Sequence, residues 1–147
     1  MIFFIDEDSA AFRAWTSEMR MRKLEVECLW NANQAFRKLC EISPDEVELV
    51  IIDVMLAVED VEDEQFSFER TYEYRETGLC LLDDLVVQNP EVFPRRAVLL
   101  TNTINEKTFR EAKKTSKRHD VPLWEKSRIS SPVKFGDLVR DQIGALA

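Results

Sequence analysis

Cysteine, glycine and histidine are scarce in this chain, and no apolar run is long. Its 147 residues include three cysteines, three glycines and one histidine. Cys28, Cys40 and Cys80 are odd in number, form no C-x-x-C pair and lie in apolar contexts. That usage excludes a disulfide framework and reads as reduced core thiols in a cytoplasmic protein. No segment reaches the roughly 20 apolar residues that span a bilayer, so no membrane association is expected. There is no basic leader followed by an apolar core and a small-residue cleavage site, again as expected of a cytoplasmic chain. Cationic excess is missing too: 20 Lys and Arg stand against 28 Asp and Glu, a net charge of −8. A general nucleic-acid binder needs the opposite balance, so no direct nucleic-acid partner is expected. His119, the sole histidine, is expected in an exposed loop and has no support as a phosphotransfer residue. No Gly/Ser/Pro-rich hinge divides the chain, and its length suits one domain over 1–147. Nothing in it reads as a helix-turn-helix, a coiled coil or a separate catalytic module.

What is present is organised around Leu49-Val50-Ile51-Ile52-Asp53-Val54-Met55-Leu56. A run that is apolar at nearly every position predicts a strand covered on both faces, as in a parallel sheet. A buried lone charge costs several kcal/mol, roughly, so Asp53 belongs at the carboxyl end, where ligands bind in open α/β sheets. Ile2-Phe3-Phe4-Ile5 predicts a second buried strand, ending in Asp6-Glu7-Asp8, with Ser9 as a helix cap. Phe12, Trp15 and Met19 then recur at helical spacing, and Leu24, Val26, Cys28 and Trp30 alternate as a half-buried strand. Asn31 or Asn33 can cap the next helix, which Ser43-Pro44-Asp45 stops. Gly78 opens a third helix that Asn89-Pro90 ends; residues 95–101 predict a strand closing on Thr101. Asn105 caps a charged helix, 121–126 predicts a last strand closing on Lys126, and Pro132 starts a final helix. Five βα units predict a parallel, doubly wound sheet.

Right-handed βα repeats bring Asp6-Glu7, Asp53, Thr101 and Lys126 to one edge of that sheet. Three carboxylates there repel one another unless a cation intervenes. A hard ion such as Mg²⁺ takes one or two carboxylates, waters and phosphoryl oxygens. Lys126 suits a phosphate oxygen as a point charge, and Thr101 offers a hydroxyl to another. Asp53 is then free to act as a nucleophile and form an aspartyl-phosphate. Singly, each residue has an ordinary structural reading; the set in this order points to phosphoryl chemistry.

At these residues the chain resembles the receiver domain of two-component response regulators, over essentially its whole length. Ile5-Asp6-Glu7-Asp8-Ser9 matches that family's first-strand acidic pair, and Val50-Ile51-Ile52-Asp53-Val54-Met55-Leu56 its phosphorylation motif. Leu99-Leu100-Thr101 matches the switch threonine, Trp124-Glu125-Lys126 the lysine strand, and Gly78-Leu79-Cys80-Leu81-Leu82 the third helix. The resemblance implies a flavodoxin-like α/β fold with strand order 2-1-3-4-5. It implies Asp53 as phosphoacceptor from a histidine kinase or phosphotransfer protein, with Thr101 and Lys126 assisting. Asp6, Glu7, Asp53 and the Met55 carbonyl are the implied Mg²⁺ positions. It further implies slow self-hydrolysis of the aspartyl-phosphate, and a downstream partner on the face of the fourth helix, fifth strand and fifth helix.

Four positions depart from that pattern. Ser127 replaces the usual proline after the lysine, which disfavours a cis peptide there. Ala57 replaces the proline after Leu56, Asn102 stands where a small residue is normal, and Leu123 occupies the aromatic switch position. Trp124 is adjacent but on the opposite strand face by alternation. An acidic insertion is expected between the third strand and third helix, about 57–77, either functional or mobile. It and the basic fourth helix (Lys107, Arg110, Lys113, Lys114, Lys117, Arg118) either attract across the active-site edge or stand as independent solvated surfaces. Two other functions compete: a receiver-shaped interaction module that does not use phosphorylation, and an aspartate-nucleophile phosphatase. The phosphatase logic places a second Asp two residues after the nucleophile, where this chain has Met55, so no turnover on external substrates is expected.

Overall fold

The computed structural model describes residues 1–7, 13–59, 62–102 and 105–146. Three runs of apolar residues form the centre of one sheet: β1 (Ile2–Ile5), β3 (Leu49–Asp53) and β4 (Ala97–Thr101), each buried at every position. Less buried strands, β2 (Val26–Leu29) and the three-residue β5 (Leu123–Glu125), form its two edges. All pairings are parallel, in the order β2-β1-β3-β4-β5. Among the described residues the α-helices are α1 (Arg13–Met21), α2 (Ala32–Glu41), α3 (Thr77–Gln88), α4 (Glu106–His119) and α5 (Pro132–Leu146).

Two cores result. Phe3, Ile5, Val50, Ile52 and Leu99 face Ala35 and Leu39 of α2, Leu82 and Leu85 of α3, and Ala112 of α4. Ile2, Phe4, Ile51, Val98 and Leu100 face Met19 of α1 and Phe135 and Val139 of α5. Phe135 organises the second layer: Trp15 stacks on it at 4.3 Å, and Phe4 and Trp124 meet it edge-on at 5.9 and 6.2 Å. Each fully buried side chain of β1, β3 and β4 contributes about 1.5–3 kcal/mol, so the strands that carry the polar ends are held rigidly. Arg22 ties α1 to α5 through Asp137 at 2.7 Å and the Val133 carbonyl at 2.9 Å. Leu123 and Trp124 fall on opposite sides of β5, in the first and second core respectively, as alternation requires.

Asn31 caps α2 by accepting the Gln34 N–H, and Asn105 caps α4 by accepting that of Thr108. The expected cap Ser9 and the apolar Phe12 lie outside the described residues. The third helix begins at Thr77, one residue before Gly78. The one cis peptide among the described residues is Phe93–Pro94; Lys126–Ser127 is trans.

Several expectations need correction. Only Cys80 is a core thiol; Cys28 is half-buried and Cys40 is exposed. Cys40 follows buried Leu39 on α2, and a step of one residue turns a helical side chain about 100° away. β2 ends at Leu29, which is buried, so Trp30 leaves the strand alternation and is 50% exposed. His119 is not in a loop: it closes α4, with its side chain 15% exposed and its Nε2 2.6 Å from Asp83 of α3.

The described part of the β3–α3 connection, within residues 54–76, is anchored rather than structureless. Phe66 and Thr71 within it are fully buried. It is fastened to α2 by Asn33–Asp63 at 2.8 Å and Arg37–Glu59 at 2.6 Å, and to α3 by a two-pronged Arg70–Asp84 pair at 2.6 and 2.9 Å.

Candidate phosphoacceptor site

The register of the central strands sets the site. Ile5 pairs with Ile52 and Asp53 with Leu100, so Asp6, Asp53 and Thr101 leave the sheet at nearly one level. Thr101 in turn pairs with Glu125, the residue before Lys126. Lys126 closes the arrangement: its Nζ donates to Asp53 Oδ2 at 2.8 Å and to Asp6 Oδ2 at 3.0 Å. The three side chains are 9%, 10% and 1% exposed, so the ion pairs form largely away from water. The second Asp53 oxygen accepts the Met55 N–H at 3.1 Å, which fixes the carboxylate's orientation.

Electrostatics follow from that geometry. Burial, then the neighbouring charge of Asp6, pushes the Asp53 pKa up to about 7, against the pull of Lys126. Burial alone would lower the Lys126 pKa, but Asp53 and Asp6 more than offset it, and the ammonium is held above its ordinary value. The site therefore combines a proton-retaining carboxylate with a secure positive charge.

Gly78 lets the third helix approach this centre. Its N–H donates to the Val54 carbonyl at 2.8 Å. A Cβ there would lie 1.9 Å from the Asp53 carbonyl oxygen, so only glycine allows α3 to seat against the end of β3.

The structure thus brings Asp6, Asp53 and Lys126 into contact. Thr101 is buried at the end of β4, one strand from Asp53, and Asn102 beyond it is exposed. Glu7 is exposed directly after Asp6, and Met55, 41% exposed, stands two residues past Asp53. Among the described residues no three His, Cys, Asp or Glu side chains gather as a metal-holding group. Two converging, water-shielded carboxylates nevertheless match what a hard divalent ion asks of a protein when water and phosphoryl oxygens supply the rest. The aromatic and acidic residues around Glu76 were visible in sequence as a cluster, but their contact with Lys107 of α4 was only one of two alternatives there.

No protein-family model matches the chain, and no curated protein matches its sequence. Solved structures do match in shape. A CheY-like response regulator receiver domain from Methanospirillum hungatei superposes with a TM-score of 0.68 at 14% identity, covering 99% of this chain and 94% of that one. The receiver domain of NtrX from Brucella abortus does so at 0.66 and 17% identity, over 98% of both chains. A Burkholderia pseudomallei response regulator solved with a phosphorylated aspartic acid, calcium ion and citrate matches at 0.57 and 14% identity, over 96% of this chain and 71% of its own. The chain has the fold of CheY-like response-regulator receiver domains.

Proposed function

We propose that this protein is a signalling receiver that accepts a phosphoryl group on Asp53. The observation that carries the reading is the meeting of Asp53, Asp6 and Lys126 at the carboxyl edge of a receiver-type sheet. An Asp53 oxygen attacks the phosphorus of a phosphohistidine on a histidine kinase or phosphotransfer protein. A P–O bond forms as the P–N bond breaks, and the imidazole leaves with the electron pair. Lys126 offsets charge on the phosphoryl oxygens, and the Thr101 hydroxyl donates to one of them. Asp6, Glu7, Asp53 and the Met55 carbonyl would hold Mg²⁺, whose charge neutralises the same oxygens. Met55 stands where a hydrolase would place its general acid, so water returns Asp53 to the carboxylate only slowly. The modified state is read by a downstream protein at the face of α4, β5 and α5.

A second reading has one observation in its favour. Lys126 already satisfies both carboxylates, so the chain can serve as a phosphorylation-independent interaction module with the site as a structural ion pair. Incubation with acetyl phosphate and Mg²⁺, followed by intact-mass measurement, separates the two. The receiver reading expects one phosphoryl adduct, absent in Asp53→Asn; no adduct on native protein selects the module.

A further inference from the structure

Between Ser67 and Thr77 the backbone makes a left-handed turn that no glycine relieves. Tyr72, Glu73 and Tyr74 have φ of 50°, 57° and 62°, a region L side chains avoid. Side chains hold it there. Thr71 Oγ1 donates to the Ser67 carbonyl at 2.7 Å and accepts the Tyr74 N–H at 3.0 Å, and Phe68 meets Tyr74 edge-on at 5.5 Å. The turn presents the Tyr72 ring and the Glu76 carboxylate to the first turn of α4. Lys107 Nζ lies 3.6 Å from the centre of that ring and 3.5 Å from Glu76 Oε1. A cation over an aromatic face with a carboxylate beside it is a directional contact, here made by a half-exposed Lys107 to a largely buried Glu76.

Both ends of this contact lead to the phosphoacceptor edge. Glu76 is two residues before Gly78, which is seated on the Asp53 and Val54 backbone. Lys107 is two residues past the cap Asn105, and residues 102–104 are all that join that cap to Thr101. The Asp53 side chain is 10% exposed, so a phosphoryl group added to it needs room the resting edge does not offer. β3 and β4 are buried throughout and cannot yield it. Lys107 ties the amino end of α4, the next described element after Thr101 and Asn102, to the β3–α3 connection.

We propose that Tyr72, Glu76 and Lys107 form a clasp that holds the amino end of α4 against the β3–α3 connection while Asp53 is unmodified, and that it opens when Asp53 carries a phosphoryl group. The inference rests on Asp53 being the acceptor and adds a control on that site. A contact present only in the unmodified state must, by linkage, oppose modification.

The test is a beryllofluoride titration of the full chain with Mg²⁺, read by tryptophan fluorescence and by hydrogen exchange of amides 106–110. Lys107→Gln and Tyr72→Leu are each expected to tighten beryllofluoride at least threefold, with the double variant no tighter than the better single. Lys107→Arg, which keeps the cation, stays within twofold of native protein. Exchange at 106–110 without ligand is faster in Lys107→Gln, and native protein reaches that rate on adding beryllofluoride. Variants within twofold of a responsive native protein overturn the clasp alone. A native protein that gives no beryllofluoride response overturns the acceptor reading and the coupling with it.

Discussion

Asp53 is held as a carboxyl that gives up its proton reluctantly, and this has a measurable sign. Its folded-state pKa, about 7, lies above the ordinary value of 3.8, so the folded protein binds an extra proton between those limits. Stability from this group is present below pH 4 and is lost as pH rises through 7. Asp53→Asn removes the loss. In urea unfolding with EDTA, the stability of Asp53→Asn relative to native protein is expected to rise by about 2 kcal/mol between pH 5.5 and 8. A flat difference would mean that Asp53 is fully ionised throughout. At Gly78 the effect is steric and independent of pH. Gly78→Ala drives a Cβ into the Asp53 carbonyl, 1.9 Å away, and is expected to cost about 3 kcal/mol or more and to displace Asp53. Denaturant midpoints alongside acetyl-phosphate labelling check both effects.

At the scale of elements, the strand ends were readable from sequence because they need only local information. An apolar run closing on Asp53 or Lys126 declares both burial and edge, and parallel alternation brings those edges together. Trp30 and Cys40 were misplaced for a related reason: periodicity says which residues share a face but not where the element stops or how wide its buried face is. The turn at Tyr72–Tyr74 had no sequence signature, since left-handed backbone is normally announced by glycine or asparagine and this stretch has neither. Its contact with Lys107 joins residues 35 apart in the chain and depends on that unannounced geometry. Exposed Glu73, at φ 57°, offers the direct check. Glu73→Gly is expected to leave stability unchanged or raise it by up to about 1 kcal/mol, against the usual cost of glycine, whereas Glu73→Val lowers it. Thermal unfolding of the pair distinguishes a true left-handed turn from an ordinary loop.

For the whole molecule, the net charge of −8 makes any cation held at the carboxyl edge of the sheet favourable at long range and sensitive to ionic strength. Mg²⁺ at ten times its Kd is expected to stabilise the native chain by about 1.4 kcal/mol. At one fixed Mg²⁺ concentration the gain should be larger at pH 8 than at pH 6, because below about pH 7 the Asp53 proton competes with the cation and raises its Kd. Thermal shifts with and without EDTA, repeated on Asp6→Asn and Asp53→Asn, check this; equal gains in the variants would place the ion elsewhere.

The aromatic cluster around Phe135 has an optical consequence. Trp15 and Trp124 are packed with that ring on the α1–α5 side of the sheet, while Trp30 stands half in solvent beside the end of β2. An aqueous quencher such as iodide therefore silences Trp30 preferentially and leaves an emission dominated by the two packed indoles. A ligand response that survives iodide has reached the layer of α1, β5 and α5 behind the sheet, whereas one that iodide abolishes never left the end of β2.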